Sequence, residues 1–161
     1  MGTIATDGFI FDMPTAKDVH EFDSDIKSDV HYHGFPEMKA VDVIAEFDSE
    51  YLFIEVKDFY NPKTNKPTLP SQDLQNDLKY KYRDTYLYQL SHGETGKPIY
   101  YICVLEHLDS AMMIQLSKNL GKTIPDAKHL PYGWKYSFLQ SAIVVDKSTW
   151  NKTLSKWGTV R

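Results

Sequence analysis

VDVIAEFDSEYLFIEVKDF, residues 41 to 59, places two apolar runs on either side of Asp48-Ser49-Glu50 and carries Asp42, Glu46, Glu55 and Lys57 within them. Side chains alternate along a strand, so the length of the turn decides which positions share a face. The apolar sets make the choice. Val41, Val43, Ala45 and Phe47 can share one buried face with Leu52, Ile54 and Val56 only if the loop is even-numbered or carries an equivalent bulge. The same register turns Asp42 and Glu46 to the other face, together with Glu55 and Lys57. Whether the loop is the two residues Asp48-Ser49 or the four from Phe47 to Glu50, Asp42 then stands opposite Glu55, at a cross-strand Cβ separation of roughly 5 Å.

Two carboxylates this close repel each other unless a cation or a proton sits between them. Hard oxygen ligands of this kind, with the carbonyl of Val56, suit Mg²⁺ or Mn²⁺, which retain waters that substrate oxygens can replace. Such an ion polarises a phosphodiester and acidifies a bound water. Lys57, two residues from Glu55 and on its face, is placed to orient that water or to stabilise charge developing on the phosphate.

Outward from the hairpin, the chain reads as strands over 38 to 47 and 51 to 58, then a Pro-rich loop NPKTNKPTLP (61 to 70). A helix is expected from Ser71 as N-cap to about Ser91, its buried stripe marked by Leu74, Leu78, Tyr82, Tyr86 and Leu90. PIYYICVLE (98 to 106) fits a strand buried on both faces, SAMMIQLSKNL (110 to 120) a helix, and SAIVVD (141 to 146) a further strand. STWNKTLSKW (148 to 157) puts Trp150, Leu154 and Trp157 on one helical face. Upstream, FIFDM (9 to 13) is the only apolar run in the first thirty-odd residues, and TAKDVHEFDSDI (15 to 26) reads as a weak helix or loop. The order implies a mixed α/β domain, and 161 residues of which 42% are hydrophobic suit one such domain spanning 1 to 161.

The acid-x-Lys tripeptide carries no weight alone: roughly two are expected by chance, and the chain has five, at Asp25, Glu37, Glu55, Asp77 and Asp126. Only Glu55-Val56-Lys57 closes an apolar strand, follows a hairpin and has an upstream strand acid on its own face. In that setting the stretch resembles the PD-(D/E)xK nuclease superfamily, whose common core is an α-β-β-β-α-β unit. Asp42 matches the first acid, with Val41 in place of the proline that names the motif, and Glu55 and Lys57 match the second half. KYRDT (81 to 85) looks like a Lys-x-Arg-Asp-Thr element of uncharacterised proteins with this core. The resemblance, over about residues 38 to 106, implies a restriction-endonuclease-like mixed sheet flanked by helices. It implies Asp42 and Glu55 as metal ligands for Mg²⁺ or Mn²⁺, Lys57 as the catalytic lysine, and Lys81 and Arg83 as contacts to a substrate phosphate. The superfamily's N-terminal helical acid would be Glu21 or Asp23. DNA or RNA is the implied substrate.

Plainer readings stand beside these. Asp42, Glu55 and Lys57 also suit a solvated sheet face with an ion pair of little energetic weight. Lys79, Lys81 and Arg83 suit an ordinary charged helix face. The helical spacing of Tyr80, Tyr82, Tyr86 and Tyr88 favours packing over base stacking. His31 and His33 read as loop histidines, since no cysteine and no spaced second pair supports zinc. Charge is polarised: residues 1 to 54 hold 12 acids and 3 bases, the remainder 10 acids and 15 bases, and the net charge of -4 argues against a general nucleic-acid binder. A nuclease-like protein without catalysis, acting as a binding module, is therefore the alternative to an enzyme, and an accidental match to the motif the third reading. No membrane span or leader is read, and Cys103 lies in an apolar run, so a reducing, cytoplasmic address is expected. The oligomeric state is open, a homodimer included.

Overall fold

The computed structural model describes residues 2–60 and 72–161. Strands β1 (Thr3–Thr6), β2 (Phe9–Asp12), β3 (Asp18–Glu21), β4 (Val43–Glu46) and β5 (Tyr51–Asp58) precede helix α1 (Gln72–Ser91). Then come β6 (Ile99–Glu106), α2 (Ser110–Thr123), β7 (Ser141–Val145), α3 (Lys147–Thr153), a 3-10 turn at Ser155–Trp157, and β8 (Thr159–Val160). The larger sheet has the order β3-β4-β5-β6-β7. Its first three strands are antiparallel, and β6 and β7 join in parallel through the helical crossovers that parallel pairing requires. The smaller sheet, β1-β2-β8, is antiparallel. The architecture is thus mixed α/β, with two sheets and, among the described residues, three helices.

The hairpin takes the even loop. Val43 pairs with Ile54 and Glu46 with Tyr51, and the Phe47 N–H donates to the Glu50 carbonyl at 2.9 Å, leaving Asp48-Ser49 as the two-residue turn. Val43, Ala45, Phe47, Leu52, Ile54 and Val56 pack on one side against Phe9, Phe11, Trp150 and Trp157, and so beneath the smaller sheet and α3. Ile44, Tyr51 and Phe53 pack on the other side against α1 and α2.

Val41 departs from its expected face. The first hairpin strand starts at Val43 rather than near 38, because the preceding residues leave the ladder to follow α1. The Lys39 N–H donates to the Asp84 carboxylate at 2.9 Å and the Val41 N–H to the Thr85 hydroxyl at 3.1 Å, which buries Val41 on the helical side.

Residues 15 to 26 contain no helix. Asp18–Glu21 form an edge strand that pairs Val19 with Ala45 and His20 with Ile44. Backbone pairing to β4 supplies what the weakly apolar segment lacks in side-chain signal. The buried stripe of α1 also differs. Leu74, Leu78 and Tyr82 are buried as expected, but the stripe continues through Thr85 and Gln89, while Leu90 is 52% exposed. Each four-residue step overshoots a full turn by about 40°, so a strict every-fourth spacing winds off the core within four steps. The loop at 61 to 70 and the Ser71 cap lie outside the described residues. At the chain's end, α3 stops at Thr153, and Leu154 and Trp157 reach the core through the 3-10 turn. Gly158 has φ 126°, and a Cβ there would run into the Asp12 carbonyl oxygen, so the chain's return beside β2 needs glycine. Among the described residues no helix is long and apolar enough to cross a membrane.

Candidate functional site

Where residues 39 to 42 turn away toward α1, β5 loses its partner just beyond Ile54, and the Val56 N–H would be left without an acceptor in the core. Asp42 supplies one: its Oδ2 accepts from the Val56 N–H at 2.6 Å, while its own carbonyl accepts from the Phe22 N–H at 2.8 Å. In an antiparallel ladder the N–H and C=O of one residue turn to the same neighbour, so the Val56 carbonyl lies on the Asp42 edge as well. Glu55 faces α1 from the middle of the sheet, beside Cys103 of β6. Asp42 is 7% and Glu55 1% exposed.

The cation between them comes from α1. Lys81 Nζ lies 2.9 Å from Glu55 and 3.5 Å from Asp42 Oδ1, with Asp23 Oδ2 at 4.0 Å. Burial, reinforced by the neighbouring Asp42 charge, pushes the Glu55 carboxyl well above the usual carboxylate range, against the pull of Lys81. Burial likewise raises Asp42, opposed by Lys81 and the Val56 N–H. Burial alone would lower Lys81, but Glu55 and Asp42 outweigh it and hold the ammonium charged beyond the ordinary lysine range. Two buried carboxyls share one buried ammonium, so the group holds a place for one more positive charge, whether proton or ion.

Lys57 lies on the same helix-facing side of β5, where its ammonium meets Asp77 Oδ2 at 3.5 Å; Lys39 holds the other Asp77 oxygen at 2.7 Å. The structure therefore gathers Asp42, Glu55, Val56 and Lys57 at one end of the β4–β5 hairpin and adds Lys81 beside the two carboxyls. Arg83 is elsewhere. Residues two apart on a helix do not face each other, and its guanidinium donates to the Thr123 carbonyl at 3.1 Å, beside a cavity of about 460 Å³ that Leu87, Ile124 and Trp134 also line. Neither acid proposed for an N-terminal helix is on one. Glu21 belongs to β3 and accepts from the Thr6 hydroxyl, whereas Asp23 is the one that approaches Lys81. Burial raises the Cys103 thiol, which disfavours the thiolate a nucleophile needs.

Hard carboxylate oxygens together with a carbonyl edge form a donor set that suits Mg²⁺ or Mn²⁺. Such an ion would be held by Asp42, Glu55 and the Val56 carbonyl, in competition with Lys81.

A second polar group escaped the sequence reading. Asp18 and His20, on β3, lie with His31, which sits in a turn as a loop histidine should; one ligand-capable atom of each falls within 4.8 Å of the others. The signal was present as an Asp-x-His alternation, but reading residues 15 to 26 as helix or loop concealed it.

Comparison with known proteins returned no match: no family model, no curated protein and no solved structure is significantly similar to the chain.

Proposed function

We propose that the chain is a metal-dependent phosphodiester hydrolase of the PD-(D/E)xK kind, with Asp42 and Glu55 as ion ligands and Lys57 as the assisting lysine. The observation that carries this reading is the convergence of Asp42 and Glu55 on one cation position, occupied by the Lys81 ammonium. The order of elements lends support. Three antiparallel strands, a helix and a parallel strand follow one another in β3-β4-β5-α1-β6, as in a restriction-endonuclease-like core, although strands stand where that core has its first helix.

When bound, a divalent ion supplies Lewis acidity toward a phosphoryl oxygen. The chain's residues do the rest. Asp42 is oriented by the Val56 N–H, Glu55 is fixed within the sheet, and Lys57 is held by Asp77 beside the same face, where it can donate a hydrogen bond to an attacking water or a phosphate oxygen. Lys81 offsets part of the carboxylate charge at the position an ion would take. DNA or RNA is the substrate class.

Incubation of the purified chain with Mg²⁺ or Mn²⁺ and with single- and double-stranded DNA and RNA tests this. Ion-dependent cleavage is expected, lowered about 100-fold or more in Glu55→Gln and in Lys57→Met; cleavage that survives both substitutions overturns the assignment.

A second reading, a nuclease-like fold kept as a binding module without catalysis, is favoured by Lys81 itself, which already occupies the position between the two carboxyls. Calorimetry with Mn²⁺ separates the two: no heat of binding, with no cleavage of any substrate, supports the silent module.

A further inference from the structure

Asp18 and His20 flank Val19 on the edge strand β3, and alternation along a strand turns both to one face. His31 returns from the connection between β3 and β4 and stacks on His20, ring centroids 3.6 Å apart and planes within 6°. His20 Nδ1 and Asp18 Oδ2 share a hydrogen bond of 2.6 Å. All three residues line a cavity of about 130 Å³, which Gln89 of α1, His92 of the turn after it, Glu46 and Glu94 also line.

Gln89 is the independent observation. It is 2% exposed, it lines this cavity, and its Oε1 has no hydrogen-bond partner among the described residues. A buried amide oxygen without a donor is rare enough in folded proteins to require an explanation, an ion or ordered water being a common one. Gln89, and not Leu90, continues the buried stripe of α1, so the helix turns a polar group inward at this point.

We propose that Asp18, His20 and His31 form a binding site for a divalent transition ion of the zinc class, with Gln89 Oε1 accepting a hydrogen bond from a water on the ion's remaining position. Two imidazoles and one carboxylate are a ligand set that zinc favours and that magnesium or calcium, which select oxygen, do not. Tetrahedral coordination at about 2.0 Å sets ligand atoms roughly 3.3 Å apart, so completing the site takes a contraction of about 1.5 Å or less from the observed limit of 4.8 Å and a rotation of one imidazole out of the stack, because an ion bound by both rings must lie in both ring planes. The proton now shared by His20 and Asp18 is what the ion displaces. Bound there, the ion ties the connection that carries His31 to the sheet edge, because one ligand comes from that connection and two from β3. The site is separate from the Asp42–Glu55 pair and differs from it in ion preference.

The test uses the full chain, free of any affinity tag and stripped by a chelator, titrated with Zn²⁺ against a chromophoric competitor and with Co²⁺ by visible absorption. One equivalent of Zn²⁺ is expected, with a tetrahedral Co²⁺ spectrum. Affinity should fall at least tenfold in His31→Ala and in His20→Asn, and stay unchanged in Glu55→Gln. His31 lies on a partly exposed turn, so its substitution leaves the sheets intact, which far-UV circular dichroism verifies. Absence of stoichiometric Zn²⁺ binding, or binding of unchanged affinity in His31→Ala, overturns the proposal, as does Zn²⁺ binding abolished by Glu55→Gln alone.

Discussion

Replacing Lys81 by Met removes the ammonium while keeping most of the stem that packs beneath it, so the variant isolates the charge. At an effective dielectric of about 20, the attraction of the ammonium is about 6 kcal/mol for Glu55 at 2.9 Å and about 5 kcal/mol for Asp42 at 3.5 Å. Deletion returns the several kcal/mol spent on desolvating the lysine, which leaves a net cost of about 3–5 kcal/mol, the range found when one partner of a buried pair is removed. The sign of the pH dependence follows from the carboxyls. Glu55 and Asp42 already bind protons more tightly in the folded state than in the unfolded chain, and without Lys81 their pKa values rise further. Stability of the variant is therefore present at low pH and lost as pH rises through those raised values. The deficit relative to the unsubstituted chain should be largest near pH 8 and shrink as the pH falls toward 4.5, the ordinary glutamate value. Urea unfolding followed by tryptophan fluorescence, with Trp150 buried, measures it at each pH. A cost below about 1 kcal/mol that does not vary with pH would refute the account of a buried carboxyl pair dependent on one ammonium.

Three further outcomes are expected. Glu55→Gln, which removes the carboxyl whose folded pKa is raised most clearly, should flatten the loss of stability seen as pH rises above about 4.5; an unchanged pH profile would count against burial as the cause of the shift. Asp42→Asn keeps an oxygen for the Val56 N–H whereas Asp42→Ala orphans it, so Ala should be less stable than Asn by about 1–3 kcal/mol in chemical denaturation. Equal stabilities would mean that this hydrogen bond contributes nothing. Gly158→Ala combines a positive φ with a collision against the Asp12 carbonyl and should cost about 2 kcal/mol or more, a value that a thermal midpoint within a degree or so of the parent would contradict.

The parts of the fold that were legible depended on local periodicity. Alternation in residues 43 to 56 chose the even loop, because a one-residue slip would have turned Leu52, Ile54 and Val56 away from the face they share with Val43, Ala45 and Phe47. The continuous apolar run Ile99–Glu106 marked a strand covered on both faces. What escaped was set by partners distant in sequence. Val41 changes face because Thr85, 44 residues later, takes its N–H. Asp18–Glu21 pair as a strand because β4 offers them an edge, which four residues with one β-branched side chain cannot announce. At the site, the shared face of Asp42, Glu55 and Lys57 could be deduced from register, but Lys81 could not be distinguished from Lys79 or Arg83. Only the rotation of α1 over the sheet decides which of the three helix cations is directed inward.

Lys81 also makes the carboxylate site self-competitive. An ammonium tethered 26 residues along the same chain is present at an effective concentration that no dilution changes. Any divalent ion seen to bind between Asp42 and Glu55 will do so with an apparent dissociation constant equal to the intrinsic one divided by the fraction of molecules whose lysine has swung away. If that fraction is about one in a hundred, the observed affinity is about 100-fold weaker than the ligands would otherwise provide. Whatever draws Lys81 outward, such as an anion with a stronger claim on the ammonium, would raise ion affinity by up to the same factor, so cation and anion would bind with positive cooperativity although neither touches the other.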